Sequence, residues 1–556
     1  MRGSLLVAVV RVPGSPSLAL YRDRGLVAEG RPEEIASTVA KLQDTSAIRV
    51  CWWNRSVATE LVRAGLRISR CWDVQEAHRL LCGGWSAAPD EVWANAVALP
   101  MSERPAPLAG DLFDEPAQVG GPLVRPDGYL DPRVLGDERP SADDLAEWAE
   151  LLFQVVARQA EQLQARSPTA VSTALSESGT SVLITELERD GVPIERARLT
   201  ELITQAAGVP PESERHAAQL RADRDDVVRR LVPGRERTDL RNPAQVLELL
   251  HAVGVKVEDT RAWRLEAHRH THPVVEALLG WRKAERIATT YGWGWLQAHV
   301  GPDDRLRGPW TTCDGGAGRM TAGAGLHSLP APLRPGVAAP AGTVLVRADL
   351  GQVEPRVLAV VSRDEEFARA THEDDLYAVV AAQLGVERSI AKIAVLSAMY
   401  GQTTGPAAAA LERMKRTYPT AMAYLDAAAA QGQRGEAVQT YGGRHIPVTQ
   451  SATAEQARAV GRFTRNAVVQ GAAAELFKAW ALTVRHALWQ QGDGTGRIVL
   501  MLHDELLIEV PQNQADDTVT LVHHTLTDAA RRWSGGAPVR FVADVAIIHR
   551  WSEAKG

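Results

Sequence analysis

Near its C-terminal end, the chain places three polar residues inside a long apolar stretch. The stretch RIVLMLHDELLIEV spans residues 497–510, and its centre holds His503, Asp504 and Glu505. The Val-, Ile- and Leu-rich runs on both sides are typical of two paired strands. Burying carboxylates in such a hairpin is costly unless something compensates their charge, so the pattern indicates a candidate cation site.

A second candidate carboxylate ends an apolar strand in TVLVRADLGQVEPRV, residues 343–357. Asp349 stands beside a predicted turn, which is a common place for a metal ligand. Taken alone, the motif is explained better by an aspartate that caps the turn. If Asp349 and Asp504 approach each other in one pocket, however, they repel strongly unless metal ions lie between them.

A cationic stripe is predicted in ERSIAKIAVLSAMYGQ, where Arg388, Lys392, Leu396 and Tyr400 recur every four residues. On a helix these side chains share one face, with phosphate-binding cations at one end and a flat ring at the other. Taken alone, an amphipathic helix with two solvated cations explains the stripe better. Together with the two acids, the stripe predicts two-metal phosphoryl transfer on a triphosphate.

The bulk composition limits the classes of protein to consider. The 556 residues exceed what one hydrophobic core holds, so several domains are expected. The net charge of −6 gives no global signature of a nucleic-acid binder, although a local basic groove is compatible with it. The four cysteines form no CxxC pair, which argues against a zinc site or a disulfide framework and indicates a reducing, cytoplasmic compartment. The first apolar run, LLVAVV, is too short to span a membrane and is interpreted as a strand.

The elements that must position these residues follow from the local patterns. Residues 1–85 alternate short apolar strands with helical stretches, which is an α/β pattern. Residues 86–140 are rich in proline, glycine and acids, and we expect an irregular connection there. A helix capped by its first residue is predicted over 141–166. Residues 175–300 are expected to be mainly helical, with Asn242 capping one helix ahead of a proline.

The order, spacing and chemistry of these segments resemble DNA polymerase family A, the bacterial DNA polymerase I type, over about residues 175–556. ADLGQVEPRV is similar to the first palm motif D-Y-S-Q-I-E-L-R, RSIAKIAVLSAMYG to the fingers helix R-x-x-x-K-x-x-x-[FY]-x-x-x-Y-G, and LHDE to the last palm motif. RFTRNAVVQGAAAEL and GRMTAGAGLHSLP resemble the helix N-x-x-x-Q-G-x-A-A-[DE] and the T-G-R-L-S-S segment of that family.

The resemblance implies a multidomain α+β fold. This fold is a right-hand polymerase, with an antiparallel palm sheet and a helical thumb and fingers, preceded by an α/β, RNase H-like domain of the 3′–5′ exonuclease type. The implied limits are 1–168 for the exonuclease-like domain, with its irregular segment at about 86–140, and 175–556 for the polymerase domain, with the thumb at about 175–300, the palm at about 301–375 and 440–556, and the fingers at about 376–439.

The resemblance also assigns roles to single residues. Asp349, Asp504 and Glu505 are the implied ligands of two Mg²⁺ ions, for which Mn²⁺ can substitute. Asp349, Asp504 and Lys392 are the implied catalytic residues, with Lys392 donating a proton to the leaving pyrophosphate. The implied nucleotide-binding residues are Arg388, Lys392, Leu396, Tyr400, Gln352 and Glu354, of which Glu354 would crowd the sugar 2′ position. The implied DNA-binding residues are Arg319, Asn466, Gln470 and His503.

The implied function is template-directed DNA synthesis from deoxynucleoside triphosphates on primer–template DNA, in replication and repair gap filling. We expect a monomer in the bacterial cytoplasm, at the nucleoid, without a membrane partner. Two alternatives stay open. One is a DNA-binding relative without catalysis. The other is a specialised bypass or sugar-tolerant polymerase, because Leu396 stands where the family has Phe or Tyr and the chain after Tyr400 is shorter than in the family.

The exonuclease-like domain lacks the acids that its chemistry requires. The first strand, LLVAVVRV, carries no acidic pair, and Trp148 and Leu152 occupy the positions of the Tyr-x-x-x-Asp motif of the last helix. Asp73 matches a position that is not a metal ligand in the family. Since a two-metal site cannot be built from apolar residues, we expect a supporting domain without proofreading. No 5′ nuclease domain is expected ahead of it.

Overall fold

The computed structural model describes the chain at residues 5–23, 25–105, 122–132, 144–401, 408–492 and 496–554. The predicted helix cap Ser141 and much of the predicted irregular segment 86–140 lie outside these residues. The contacts group the chain into two units. The first unit comprises Met1–Arg189, Trp310–Thr321 and Val346–Ala546, and the second comprises Asp190–Pro309, Ala322–Leu345 and Ile547–Gly556.

The first unit begins with a five-stranded mixed sheet and the helices that cover it. Its strands are β1 (Leu5–Arg11), β2 (Leu18–Arg22), β3 (Gly25–Gly30), β4 (Ile48–Trp52) and β5 (Cys71–Asp73), in the spatial order β3-β2-β1-β4-β5. Its helices are α1 (Pro32–Thr45), α2 (Arg55–Arg63), α3 (Val74–Cys82), α4 (Pro89–Ala96), α5 (Leu145–Arg166) and α6 (Ala170–Asp190). Strands β1 to β3 are antiparallel, and β1, β4 and β5 are parallel.

Alternate residues of β1 feed two hydrophobic cores on opposite faces of this sheet, as the period of a strand requires. Val7 and Val9 pack with residues of α1 and α2, while Ala8 and Val10 pack with residues of α3, α4 and α5. The predicted α/β pattern of the first 85 residues is therefore present.

The second unit is mainly helical. Its elements are β6 (Val192–Pro193), α7 (Arg196–Ala207), α8 (Glu214–Arg229), α9 (Pro243–Ala252), α10 (Ala262–Ala267), α11 (Pro273–Thr290), α12 (Trp293–His299) and β7 (Arg305–Leu306). The Asn242 side chain accepts hydrogen bonds from the backbone N–H groups of Ala244 and Gln245, which confirms the predicted cap of α9. Its hydrophobic core is built from α8, α9, α10 and α11.

The rest of the first unit is a four-stranded sheet with further helices. The remaining strands are β8 (Trp310–Thr311), β9 (Thr321–Ala322), β10 (Thr343–Gly351), β11 (Val438–Gln439), β12 (His445–Ile446), β13 (Arg497–Leu502), β14 (Glu505–Pro511) and β15 (Val542–Ile548). The remaining helices are α13 (Val353–Ser362), α14 (Glu365–Ala370), α15 (Leu376–Leu384), α16 (Arg388–Tyr400), α17 (Ala408–Thr417), α18 (Pro419–Gln433), α19 (Ala454–Gln490) and α20 (Ala515–Trp533). The sheet has the strand order β13-β14-β10-β15.

Within the first unit, buried ion pairs connect helix α6 with α19 and with Arg444. On α6, the Glu177 carboxylate accepts hydrogen bonds from Lys478 Nζ at 2.9 and 2.6 Å and lies 2.8 Å from Arg444 Nη2. Further along α6, Glu186 pairs with Arg485 of α19 at 2.6 Å. The charges of Glu177, Lys478 and Arg444 are nearly inaccessible to solvent, so each depends on its partner for compensation, while Glu186 is 12% exposed.

Among the helices that the structure describes, none is long and apolar enough to cross a membrane.

Candidate active site

The apolar stretch at 497–510 forms the predicted hairpin. Strands β13 and β14 pair with Leu502 opposite Glu505, so His503 and Asp504 form a two-residue turn. His503 has a φ of +55°, in the left-handed region where a residue with a β-carbon pays about 1–2 kcal/mol. A strained backbone at a loop tip is often found at functional sites, and here it lies directly before Asp504.

The hairpin turn lies directly beside the end of β10. Strand β14 neighbours β10 in the sheet, and the Leu350 N–H donates to the Asp504 carbonyl oxygen at 2.9 Å. Burial, followed by the repulsion from Asp504, raises the pKa of Asp349 to about 6. Burial likewise raises the pKa of Asp504. The sheet therefore brings the two predicted aspartates together in surroundings that disfavour two negative charges.

The donor set of this aspartate pair suits a hard divalent cation. Magnesium is commonly held by one or two carboxylates, with water and substrate phosphates completing its coordination. Asp349 and Asp504 provide such carboxylates, and burial is the main cause of their raised pKa values. Within the described ranges, no three His, Cys, Asp or Glu side chains are grouped so that they alone could hold a metal.

Arg347 is a charged neighbour of this site that the sequence motifs did not indicate. Its guanidinium lies 2.7 Å from Asp349 Oδ2, 3.1 Å from Glu505 Oε2 and 3.3 Å from Asp544 Oδ2. The carboxylate of Glu505, predicted as a metal ligand, is thus engaged by an arginine. The one signal in the sequence was the spacing between Arg347 and Asp349. Residues two apart on a strand lie on the same face, so the two side chains were expected to be neighbours.

A pocket of about 310 Å³, within the size range of ligand sites, is lined by Asp504 but not by Asp349. Eight of the predicted residues line it: Arg319, Gln352, Glu354, Lys392, Leu396, Gln470, His503 and Asp504. The sequence had not singled out Tyr377 and Phe477, which also line it. Tyr377 lies two residues after Asp375, whose side chain caps α15. This helix-start signal was the only feature of the sequence that could have drawn attention to Tyr377.

Glu354 is the centre of a polar cluster in this pocket. Burial raises its pKa, while hydrogen bonds from Tyr400 and Gln470 and the charge of Arg319 oppose that rise. Gln352, at the start of the same helix α13, has a φ of +54° and therefore also adopts the left-handed conformation. The chain thus fixes a carboxylate at the pocket wall through contacts from separate elements.

The predicted cationic stripe lies on α16, and its members have different surroundings. Lys392 and Leu396 line the pocket, and Tyr400 bonds to Glu354. Arg388 instead donates to Asp375 Oδ2 at 2.5 Å, and its guanidinium lies 5.9 Å from the centre of the Tyr377 ring. Because Arg388 is paired with a carboxylate, it would have to exchange that carboxylate for a phosphate in order to bind a triphosphate.

The two predicted DNA-binding residues of α19 also have different surroundings. Gln470 lines the pocket, whereas Asn466, one turn earlier, does not. The Asn466 Oδ1 atom is buried and makes no hydrogen bond with the part of the chain that the structure describes. A buried amide oxygen without a partner is costly, which makes Asn466 a candidate for contact with a ligand.

Comparisons with known proteins identify the family of the chain. The sequence model of DNA polymerase family A matches residues 215–553. The chain is 29% identical over 328 residues to the thermostable DNA polymerase I of Thermus thermophilus, and 28% identical over 297 residues to the DNA polymerase I of Chloroflexus aurantiacus. These matches cover 53% and 48% of this chain but only 38% and 31% of the relatives, so the chain spans less than half of their length.

A solved structure supports the fold. The chain is similar to the polymerase domain of Pol1 from M. smegmatis, solved in complex with a DNA primer-template and dNTP. The TM-score is 0.69 at 20% sequence identity, over 100% of this chain and 96% of that one. This similarity confirms the predicted multidomain right-hand polymerase fold. Because the family model covers well over half of the chain, this protein belongs to DNA polymerase family A.

Proposed function

We propose that this protein is a template-directed DNA polymerase. The observation that carries the proposal is that Asp504 lines a pocket together with Lys392 and also adjoins the end of β10, where Asp349 stands. In the proposed reaction the primer 3′-oxygen forms a bond with the α-phosphorus of a deoxynucleoside triphosphate. The bond to the β-phosphate oxygen breaks, and pyrophosphate leaves.

The chain's own groups contribute charge and position. Asp349 and Asp504 would hold two divalent ions, which supply activation of the attacking hydroxyl and neutralisation of the phosphates. Lys392, which lines the pocket, would donate its ammonium proton to the leaving pyrophosphate. Arg388 would exchange Asp375 for a triphosphate oxygen, which is also an anionic partner. Positioning and electrostatics of this kind account for most of the rate in phosphoryl transfer.

The pocket wall also suggests how the sugar is selected. The Glu354 carboxylate, fixed by Tyr400 and Gln470, would crowd the 2′ position of an incoming ribonucleotide. Leu396 lines the same pocket with an aliphatic surface in place of an aromatic ring. Arg319, Gln470 and His503, which line the pocket, are the proposed DNA contacts, and the unpaired amide oxygen of Asn466 suits a hydrogen bond to nucleic acid.

We further propose that residues 1–168 form a supporting domain without exonuclease activity. Trp148 stacks on Trp53 with 4.3 Å between ring centroids, and Leu152 is fully buried. Asp73 accepts a hydrogen bond from Trp52 Nε1 at 2.9 Å and caps α3, so its carboxylate has structural partners. The positions that would carry metal-binding acids are therefore filled by packed aromatic and aliphatic side chains.

The wider proposal follows the resemblance. The polymerase domain comprises residues 175–556, with the thumb, palm and fingers at the limits expected above. Primer–template DNA and deoxynucleoside triphosphates are the proposed partners of a monomer acting in replication or gap filling in the bacterial cytoplasm. Family membership and the pocket residues support the DNA and nucleotide partners among these assignments.

Primer extension with Mg²⁺ and four deoxynucleotides tests the proposal, comparing the wild type with Asp504→Ala. The variant is expected to lose extension by at least about a thousandfold, since both ions would depend on this carboxylate. Asp517→Ala, at an exposed position on α20, is the matched control and should extend like the wild type.

The same assay reports on the other possibilities. If the wild type binds primer–template but never extends it, the protein is a non-catalytic relative and the proposal is wrong. A labelled mismatched primer is included, and we expect it to persist untrimmed. Metal-dependent removal of its 3′ nucleotide would show that residues 1–168 retain a nuclease.

A further inference from the structure

Arg347 bridges three strands of the polymerase sheet at the proposed metal site. It stands on β10, two residues before Asp349, and its side chain is only 7% exposed. Its Nη2 atom binds Asp349 on the same strand, Nε binds Glu505 on β14, and Nη1 binds Asp544 on β15. Every nitrogen of the guanidinium thus has a carboxylate partner, which is a fixed and specific arrangement.

This geometry constrains the carboxylates around it. One oxygen of Asp349, Oδ2, is taken by the guanidinium, which leaves Oδ1 for another cation. The carboxylate of Glu505, 14% exposed, is held on Arg347 through its Oε2 atom. Because Arg347 is a permanent cation, it also supplies a positive charge that opposes the approach of a second cation.

We propose that Arg347 is a built-in counter-ion of the catalytic aspartates that lowers the affinity of the nucleotide-free enzyme for divalent metal. In this role it is a positioning residue that orients Asp349, and Glu505 acts through Arg347 and not as a metal ligand. The inference rests on the proposed function, because it assumes that Asp349 and Asp504 bind the catalytic ions. It implies that the ions are bound tightly only when a triphosphate adds its own negative charge.

The test measures Mn²⁺ binding to the full chain without nucleotide or DNA, by the electron paramagnetic resonance signal of free Mn²⁺. Arg347→Gln removes the charge while keeping hydrogen-bonding capacity, and we expect Mn²⁺ to bind about tenfold more tightly. Arg347→Lys keeps the charge and should stay within about twofold of the wild type. Asp504→Asn is included to show that the measured binding belongs to this site, and it should weaken binding at least about tenfold.

Equal or weaker binding by Arg347→Gln would overturn the proposal, since the guanidinium would then exert no net repulsion on the ion. Glu505→Gln provides a second measurement if Arg347→Gln does not fold. A loss of less than about threefold supports the role of Glu505 through Arg347, whereas a loss of tenfold or more would make Glu505 a ligand and contradict it.

Primer extension by the same wild-type preparation separates the two proposals. Absence of extension counts against the polymerase function, whatever the Mn²⁺ titration shows. Extension by the wild type, combined with unchanged Mn²⁺ binding in Arg347→Gln, counts against the role of Arg347 alone.

Discussion

At the scale of single residues, Glu354 offers a direct test of sugar selection. Its carboxylate is fixed at the pocket wall by Tyr400 and Gln470, so replacing it with alanine opens space beside the sugar. We expect Glu354→Ala to raise ribonucleotide incorporation relative to deoxynucleotide incorporation by roughly tenfold or more. The measurement is single-nucleotide extension with each triphosphate. Glu373→Ala, at an exposed position near α15, is the control, and an unchanged ratio in Glu354→Ala would exclude Glu354 as the steric barrier.

Glu475 gives a prediction about pH. Burial raises its pKa to about 7, although Thr440 and Gly442 hydrogen-bond to its carboxylate and Arg444 attracts it. In the unfolded chain an ordinary glutamate titrates near about 4.3, so between these values the folded protein binds one more proton than the unfolded one. Stability should therefore fall as pH rises from about 4.3 through about 7, and not increase.

Glu475→Gln should remove that dependence. We expect the variant to gain roughly 1–3 kcal/mol over the wild type at pH 8 and much less at pH 5. Urea unfolding at the two pH values is the measurement. Glu455→Gln, on the exposed first turn of the same helix, should keep the wild-type profile. A constant difference between Glu475→Gln and the wild type at both pH values would contradict the assignment.

The sequence identified the residues whose role can be inferred from a short stretch of chain. It missed those whose role depends on distant residues. Asp349, Lys392 and Asp504 each belong to a short motif whose chemistry can be read within a few positions. Arg347 also lies in such a motif, but its partners Glu505 and Asp544 follow 158 and 197 residues later. Its role depends on which strands flank β10, and no short stretch carries that information.

At the scale of elements, the contact between α18 and α19 depends on a glycine. Gly432 lies in the last turn of α18, and a β-carbon added there would come within 2.6 Å of the Thr464 Cγ2 atom on α19. We expect Gly432→Ala to destabilise the protein by about 1–3 kcal/mol, because the helices must separate or distort. The unfolding midpoint in urea measures this cost.

Gly280→Ala is the matched control for that substitution. Gly280 lies on an exposed face of α11, and an added β-carbon would meet nothing within 4 Å. Since alanine favours helix more than glycine, the control should stabilise the protein by roughly 0.5–1 kcal/mol. Stabilisation by Gly432→Ala as well would show that α18 and α19 do not approach as closely as described.

Local patterns predicted elements well where periodicity and caps coincide. The hairpin at 497–510 and the helix after Asn242 combine an apolar period with a turn or cap, and both are found. The four-stranded order β13-β14-β10-β15 could not be derived in this way, because its strands come from distant parts of the chain. The alternation of apolar and polar residues shows which face of each strand is buried, but it does not show which strands are neighbours.

At the scale of the whole molecule, residues 1–189 and most of residues 346–546 share one unit. Arg485 of α19 illustrates why, since it pairs with Glu186 and also donates at 3.2 Å to the Ile68 carbonyl oxygen beside the N-terminal sheet. We expect Arg485→Ala to cost about 3–5 kcal/mol, because Glu186 loses its buried partner.

Hydrogen exchange measures whether the loss of stability in Arg485→Ala affects the N-terminal sheet as well as α19. Amides of β1 and β4 and amides of α19 should exchange faster together in Arg485→Ala, because their contacts group them in one compact unit, which we expect to open as a whole. Arg532→Ala, at an exposed position on α20, should leave both sets unchanged. Faster exchange confined to α19 would mean that the N-terminal sheet unfolds independently. Such grouping of distant segments was beyond the reach of sequence patterns, which describe neighbours along the chain.

The buried contacts between residues 1–168 and the rest of the first unit have an evolutionary consequence. A few substitutions suffice to abolish a nuclease, but deleting residues 1–168 would take the Ile68 carbonyl oxygen from Arg485 and the Glu76 carboxylate from Thr312, and would leave these buried donors without those acceptors. A lineage can therefore abandon the catalytic work of the N-terminal region far more readily than it can shorten its gene. Under the proposal that residues 1–168 have no exonuclease activity, these residues would be retained for their structural contacts alone.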